Sequence, residues 1–305
     1  MELIRPDMRI DFIGKRNYAL AISAIAILIC LGSIFLHGGL KYGVDFAGGI
    51  LLQIKFSKHV DSSELRNALD ATGSKDAVVQ NFGGENEFLI RIEKSSEDLE
   101  ALSKRMQASL QEKFKDKTPE IRRIEVVGPK VGKDLKQRAF LAVLLSFIGI
   151  LIYVAFRFKQ VSYGIGGIVA LIHDVIITYG AISIFDLEYS LTLMAVILMI
   201  IGFSINDTIV IFDRVREDVK KMRKDSLETI FNTSINECLG RTILTSGTVM
   251  MVVLILFFFG GSVIHDFTTA LIVGLISGTY STIYIASPVV LLWDKYITKG
   301  KRRSR

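Results

Sequence analysis

The chain has 305 residues, of which 50% are hydrophobic and 22% charged, and its net charge is +6. The two classes are segregated: six long apolar stretches hold almost no charge, and nearly all Asp, Glu, Lys and Arg lie between them. A hydrocarbon core about 30 Å thick takes about 20 apolar residues of helix, so this pattern excludes an ordinary soluble enzyme, a disordered chain and a β-barrel of short alternating segments.

Residues 1–17 are basic (Arg5, Arg9, Lys15, Arg16) and precede an apolar run over 18–38. That run is longer than a signal-peptide core and is followed by no small-residue cleavage motif, so it is expected to remain as an anchor. Residues 39–138 are polar enough to fold outside the membrane. GILLQIKF reads as a strand, SSELRNALDATG as a helix capped by Ser62 or Ser63 and stopped by Gly73, and DAVVQNF and EFLIRIE as strands joined at Gly83–Gly84. Leu99, Leu102, Met106, Leu110 and Phe114 recur at helical spacing, and IRRIEVV closes with a strand. The order βαββαβ is the ferredoxin-like pattern.

Five further spans follow at 139–157, 163–185, 189–213, 241–260 and 266–293. Helices are expected because open strands cannot satisfy their backbone groups in lipid. The fold class is therefore a polytopic α-helical membrane protein with six spans and one extracytoplasmic α+β domain. Between spans four and five, residues 214–240 carry Leu227, Ile230, Phe231, Ile235, Cys238 and Leu239 on one stripe and predict an amphipathic connecting helix on the cytoplasmic interface. Short-loop Lys and Arg orient the chain. The N-terminus, Arg157 with Lys159, the segment from Arg214 to Lys224, and the tail 294–305 (Lys299, Lys301, Arg302, Arg303, Arg305) all fall on one side. The turns at Asp186–Glu188 and Gly261–His265 hold no Lys or Arg. Both termini are expected in the cytoplasm, and the positive charge is an orientation signal rather than a nucleic-acid footprint. Cys30 and Cys238 make neither a disulfide framework nor a metal spacing. No nucleotide-binding glycine fingerprint or Walker lysine motif occurs, so ATP bound by this chain is not the expected energy source.

Ionisable residues inside a span cost about 2.5–3.5 kcal/mol on insertion scales and are functional candidates. Asp207 lies six residues before the interfacial Asp213, about 9 Å deeper along a helix. Ser204 and Thr208 are expected to hydrogen-bond it, with Asn206 a further supporting polar group. Arg241, opening span five, is the expected partner: it cannot deprotonate, so its distance would set whether Asp207 holds a proton. Asp174 and its neighbour His173 in span three would extend a proton path. A purely structural ion pair, and an Arg241 that only anchors its helix at the headgroups, are the plainer readings of the same residues.

The run Tyr42-Gly43-Val44-Asp45-Phe46-Ala47-Gly48-Gly49 resembles the signature of the SecD/SecF family. GFSINDTIVIFDRVRE around Asp207, LGRTILTS around Arg241 and LIHD at Asp174 resemble span signatures of its SecF branch, and the resemblance covers the whole chain. It implies a Sec protein-export accessory, not an enzyme, in the bacterial or archaeal cytoplasmic membrane. It would use protons as coupling ion, need no cofactor, and draw preproteins outward. The implied partners are a SecD-like subunit, the Sec channel with its accessory membrane factors, the preprotein and membrane lipid, with no nucleic acid. The resemblance makes Asp207 and Arg241 the central relay pair and Asp174 an auxiliary. It makes Tyr42, Gly43, Asp45, Phe46, Gly48 and Gly49 the coupling between span one and the outer domain. Two rivals remain: a proton-driven half-transporter for lipid or small molecules, and a passive assembly subunit. An intramembrane aspartyl protease using Asp174 and Asp207 is disfavoured, since neither His173-Asp174 nor Asn206-Asp207 matches its motifs.

Overall fold

The structure, a computed structural model, describes residues 10–298 apart from residues 73, 75–76, 83, 85, 94–97, 159 and 262–263. Arg5, Arg9, Lys159 and the tail residues Lys299, Lys301, Arg302, Arg303 and Arg305 lie outside the described residues, as do the helix stop read at Gly73 and the turn residue Gly83.

Helix α1 (Arg16–Leu36) is the first long apolar helix, and one helical turn, α2 (Val44–Ala47), leads into the outer domain. That domain runs β1 (Gly49–Lys55), α3 (Ser62–Asp70), β2 (Val78–Asn81), β3 (Glu87–Glu93), α4 (Leu99–Lys113) and β4 (Glu120–Val127). The sheet order is β2-β3-β1-β4 with every neighbouring pair antiparallel. Leu52 of the central strand lies opposite Ile90 on one side and Ile124 on the other. Alternation sends Ile50, Leu52, Ile54, Phe88 and Ile90 to one face, where Leu65 and Leu69 of α3 and Leu102, Met106 and Leu110 of α4 bury them. The first cap differs from expectation. Ser62 and Ser63 already have helical backbone, so the capping position falls to Asp61, whose carboxylate accepts the Ser63 N–H at 2.7 Å.

Five long helical segments follow: α5 (Pro129–Phe158), α6 (Val161–Ile184), α7 (Leu191–Lys221), α8 (Leu227–Phe259) and α9 (His265–Ser281). The last continues through a π-turn (Thr282–Ala286) into α10 (Ser287–Trp293). Pro288 brings no N–H to this part of the backbone, and the Ser287 hydroxyl donates to the Thr282 carbonyl at 3.2 Å. Six helices among the described residues are long and apolar enough to cross a membrane. Helices α6, α7 and α9 form the centre, and α1, α5 and α8 surround them with exposed apolar side chains such as Leu28, Ile152 and Phe258.

Two boundaries depart from the sequence reading. Helix α5 starts at Pro129, ten residues before the span read from 139, so its first turns stand outside the apolar zone against the outer domain. The separate amphipathic helix expected over 214–240 is absent: α7 continues to Lys221, residues 222–226 turn the chain, and α8 runs unbroken for 33 residues. An isolated Gly240 costs a helix only about 1 kcal/mol, too little to end it. The stripe Ile230, Phe231, Ile235 and Leu239 therefore packs into the bundle core. This part of α8 also holds the N-terminal segment, where the sequence suggested a plain connector. Asn236 Oδ1 accepts the Ile10 N–H and Asn232 Oδ1 the Phe12 N–H, both at 2.8 Å. Both amides donate back to the Ile10 carbonyl, at 2.8 Å from Asn236 and 3.0 Å from Asn232.

Helix α1 packs on α6 where Gly180 leaves room for Cys30: a Cβ at position 180 would lie 2.2 Å from the sulfur and 2.9 Å from the Cys30 Cα. The backbone contact leaves no soft way out. Gly180→Leu is expected to push α1 away at a cost of about 1–3 kcal/mol. The measurements are the thermal midpoint in detergent and maleimide labelling of Cys30. An unchanged midpoint with an unreactive Cys30 would contradict the packing.

Candidate functional site

Asp174 sits in the middle of α6 and is 0% exposed. A carboxylate there needs donors, and neighbouring helices provide them. Ser204 of α7 and Ser281 of α9 donate to Oδ2 at 2.6 and 2.7 Å, and Ser277 of α9 donates to Oδ1 at 2.6 Å. His173 Nδ1 lies 3.1 Å from Oδ1, and its ring stacks on Tyr280. Ser277 and Ser281 are one helical turn apart and so share a face. Among the described residues no Lys or Arg pairs with Asp174, so hydroxyls carry its satisfaction.

Asp207 of α7 is 3% exposed and is built differently. Its Oδ2 accepts no hydrogen bond. The groups acting on its charge are Arg241 and the Ser246 hydroxyl, both on α8, and no ion pair with Arg241 closes among the described residues. Ser246 in turn accepts the Thr279 hydroxyl at 3.0 Å. Arg241 lies fourteen residues into α8 and is exposed on the outside of the bundle, not at a helix start as the sequence suggested.

The supporting groups separate by helix face. Ser204 and Thr208, expected on Asp207, serve other partners: Ser204 holds Asp174, and Thr208 bonds the Thr282 hydroxyl at 3.0 Å and the Ser204 carbonyl at 3.1 Å. They are four residues apart and face α6 and α9, whereas Asp207 is turned about 100° from Thr208 toward α8. Asn206 is exposed on the bundle surface and joins neither carboxylate. Asp213 pairs with Arg157 at 2.5 Å and fastens the α5–α6 turn to α7. Ser246, Ser277, Thr279, Ser281 and Thr282 escaped the sequence reading. For all but Ser246 the signal is a run of hydroxyl residues, Ser277 to Thr282, inside an apolar span.

The stretch Tyr42–Gly49 forms the joint between bundle and outer domain. Gly43 N–H donates to the Tyr189 carbonyl at 3.0 Å, and Tyr189 N–H donates to the Lys41 carbonyl at 2.7 Å. Phe46 stacks on Tyr189 with ring centroids 5.3 Å apart, and Tyr42 meets both rings edge-on. Asp45 Oδ2 accepts the Leu191 N–H at 2.9 Å, so the joint caps the first turn of α7, the helix that carries Asp207. Gly48 turns into β1 at φ +77°, where an added Cβ would lie 3.0 Å from the Pro129 Cα, and Gly49 follows at φ +139°. Two ion pairs stitch the α6–α7 turn to this region: Arg91–Glu188 at 2.9 Å and Lys41–Asp186 at 2.6 Å.

Residues 106–296 match the family described as protein export membrane protein SecD/SecF, C-terminal, and residues 33–59 match the SecD/SecF GG motif. The chain is 45% identical to the protein translocase subunit SecF of Thermodesulfovibrio yellowstonii, covering 94% of this chain and 95% of that one. It is 43% identical to the SecF of Pseudomonas aeruginosa over 93% of this chain and 91% of the relative. The fold matches the crystal structure of SecDF from Thermus, a translocon-associated membrane protein, with TM-score 0.84 and 35% identity over 96% of this chain. This chain spans 40% of that SecDF chain.

The hydroxyl shell makes a stability prediction. Ser277→Ala with Ser281→Ala removes one donor from each oxygen of Asp174 and is expected to cost about 1–3 kcal/mol. Asn206→Ala, exposed in the isolated chain, is expected to stay within about 0.5 kcal/mol. Thermal unfolding of the purified chain in detergent compares them. Equal effects would show that the shell does not hold the bundle.

Proposed function

The chain belongs to the SecD/SecF family of protein-export membrane proteins, and we propose on that premise that it is the SecF-type subunit of the Sec export machinery, driven by protons. The observation that carries the proton reading is Asp207: a carboxylate buried in an apolar bundle, with one oxygen unpartnered and an unclosed cation on the next helix. Arg241 keeps its charge throughout, so a proton on Asp207 alters the pull between α7 and α8 through the aspartate alone. Asp174, saturated by hydroxyls and His173, is the fixed element next to it: Ser204, its donor, lies three residues from Asp207, about 4.5 Å along α7.

Helix α7 links this chemistry to the outside. Its first turn is capped by Asp45 of the joint, so a change in its tilt is felt at the root of β1. One charge crossing 100 mV supplies about 2.3 kcal/mol, enough to bias a two-state motion of the outer domain. Repeated small pulls on an unfolded preprotein suit that scale. The expected membrane is the cytoplasmic one with both termini inside, on the distribution of short-loop Lys and Arg.

A SecD-like subunit is the expected partner, beside the Sec channel, accessory factors and lipid. Arg241 of α8 and Asn206 of α7 are exposed at membrane depth, where uncovered polar groups are costly. A second membrane half over this face removes that cost.

Two outcomes test the reading. Asp207→Asn keeps the side-chain size and removes titration; secretion of a reporter is expected to fall at least about tenfold, the size of a lost general proton-transfer group being 10²–10⁴. Membrane insertion and partner copurification should stay intact, and normal secretion sinks the relay. Separately, cysteines at Asn206 and in the membrane helices of a coexpressed SecD-like chain are expected to crosslink, whereas a cysteine at Leu28 on the far side is not. Crosslinking from Leu28 alone would place the partner elsewhere.

A further inference from the structure

A groove of about 480 Å³ opens sideways between α1, α5 and α6 at the outer end of the bundle. That is within the roughly 300–1,000 Å³ of ligand sites. Leu31 of α1, Phe140 and Val143 of α5 and Ile176 of α6 form its walls, and the buried Tyr189 and the exposed Lys136 complete the lining. Lys136 is exposed and makes no ion pair among the described residues; its ammonium rests over the Tyr42 ring, 3.7 Å from the centroid. Lys133, one turn further out on α5, is exposed as well. From Lys136 to Val143 the helix descends seven residues, about 10 Å. A cation thus sits at headgroup level above an apolar trench that runs into the hydrocarbon.

We propose that this groove is a binding site for an anionic glycerophospholipid of the outer leaflet, one acyl chain in the trench and the phosphate against Lys136. The walls favour hydrocarbon over peptide. A peptide brings one N–H and one C=O per residue, each needing a partner in lipid, whereas among the described residues the only polar side chains in the lining are Lys136 and the tyrosines Tyr42, Tyr179 and Tyr189. The Tyr179 and Tyr189 hydroxyls bond each other at 3.0 Å and are engaged. Charge complementarity selects the headgroup, since juxtamembrane lysines attract anionic lipid. The occupant lies against Tyr189 and Phe46 and so braces the joint between bundle and outer domain. This site stands independently of the proton relay.

The test uses the full chain purified in detergent, with phosphatidylglycerol and phosphatidylcholine of identical acyl chains as probes, read by native mass spectrometry. One retained phosphatidylglycerol is expected, preferred about fivefold over phosphatidylcholine. Lys136→Glu is expected to abolish the preference, and Val143→Trp, which fills the trench, to remove the retained lipid. Ile152→Trp, exposed on the same helix outside the groove, should change neither. Equal retention in all four proteins overturns the site, and Lys136→Glu, at an exposed position, keeps the test valid if Val143→Trp does not fold. A photoreactive residue at Phe140 that captures a translocating reporter instead of lipid would equally overturn it and assign the groove to the preprotein.

Discussion

A carboxylate at the centre of an apolar bundle that, among the described residues, meets no Lys or Arg is the constraint from which the membrane architecture follows. Asp174 could be neutralised by an arginine or lysine; here it is satisfied by three hydroxyls and a neighbouring histidine. Hydroxyl side chains are short, so their helices must approach closely. Ser204 brings α7 to α6, and Ser277 with Ser281 brings α9 to the same atom pair. The three helices are each other's neighbours for this reason, and the apolar packing of α1, α5 and α8 is built around them. In lipid, apolar contact alone distinguishes poorly between helix neighbours, because lipid tails are as apolar as leucine. A buried charge with a fixed number of donor positions discriminates far better.

The joint applies the same economy of contacts at the membrane surface. Asp45 is one residue of the Tyr42–Gly49 stretch, yet its carboxylate caps α7, while Phe46 and Tyr42 pack on Tyr189 just before that helix begins. Arg91, buried on the far face of the sheet, reaches Glu188 in the same turn. The outer domain is therefore fastened to the start of α7 by a cap and a ring stack from the Tyr42–Gly49 stretch and an ion pair from β3.

The sequence revealed what depends on composition and period. Charge segregation located the spans, alternation and turn residues gave the βαββαβ order, depth within a span marked Asp174 and Asp207, and Arg241 was read as the cation for Asp207 at the opening of a span. What it concealed depends on helix phase relative to a neighbour. Ser204 and Thr208 flank Asp207 in the chain but face α6 and α9, so nearness in sequence suggested the wrong carboxylate. Ser277 and Ser281 lie about 100 residues from Asp174, and no local rule connects them to it, although a hydroxyl-rich tract within an apolar span was there to be read. The continuity of α8 was hidden because Gly240 followed by the charged Arg241 resembled a boundary. Propensity at one position is a small penalty against a 33-residue helix with a packed face.

The contrast between the two carboxylates bears directly on how a relay can move anything. Asp174 accepts hydrogen bonds on both oxygens, from side chains of α7 and α9, so its contacts tie three helices together. Asp207 has an unpartnered oxygen and a cation held apart on a different helix. Its change of charge alters an inter-helix force and breaks no existing hydrogen bond at Oδ2. That force acts between two rigid bodies. Helix α7 is pinned to the outer joint, and α8 is fastened through Asn232 and Asn236 to the segment preceding α1. In the proposed cycle a proton on Asp207 therefore loosens α8 together with the inner end of α1 from a core that Asp174 keeps assembled. In that proposed cycle the fixed carboxylate allows the other one to do work, since without a rigid centre the same force would only deform the bundle around it.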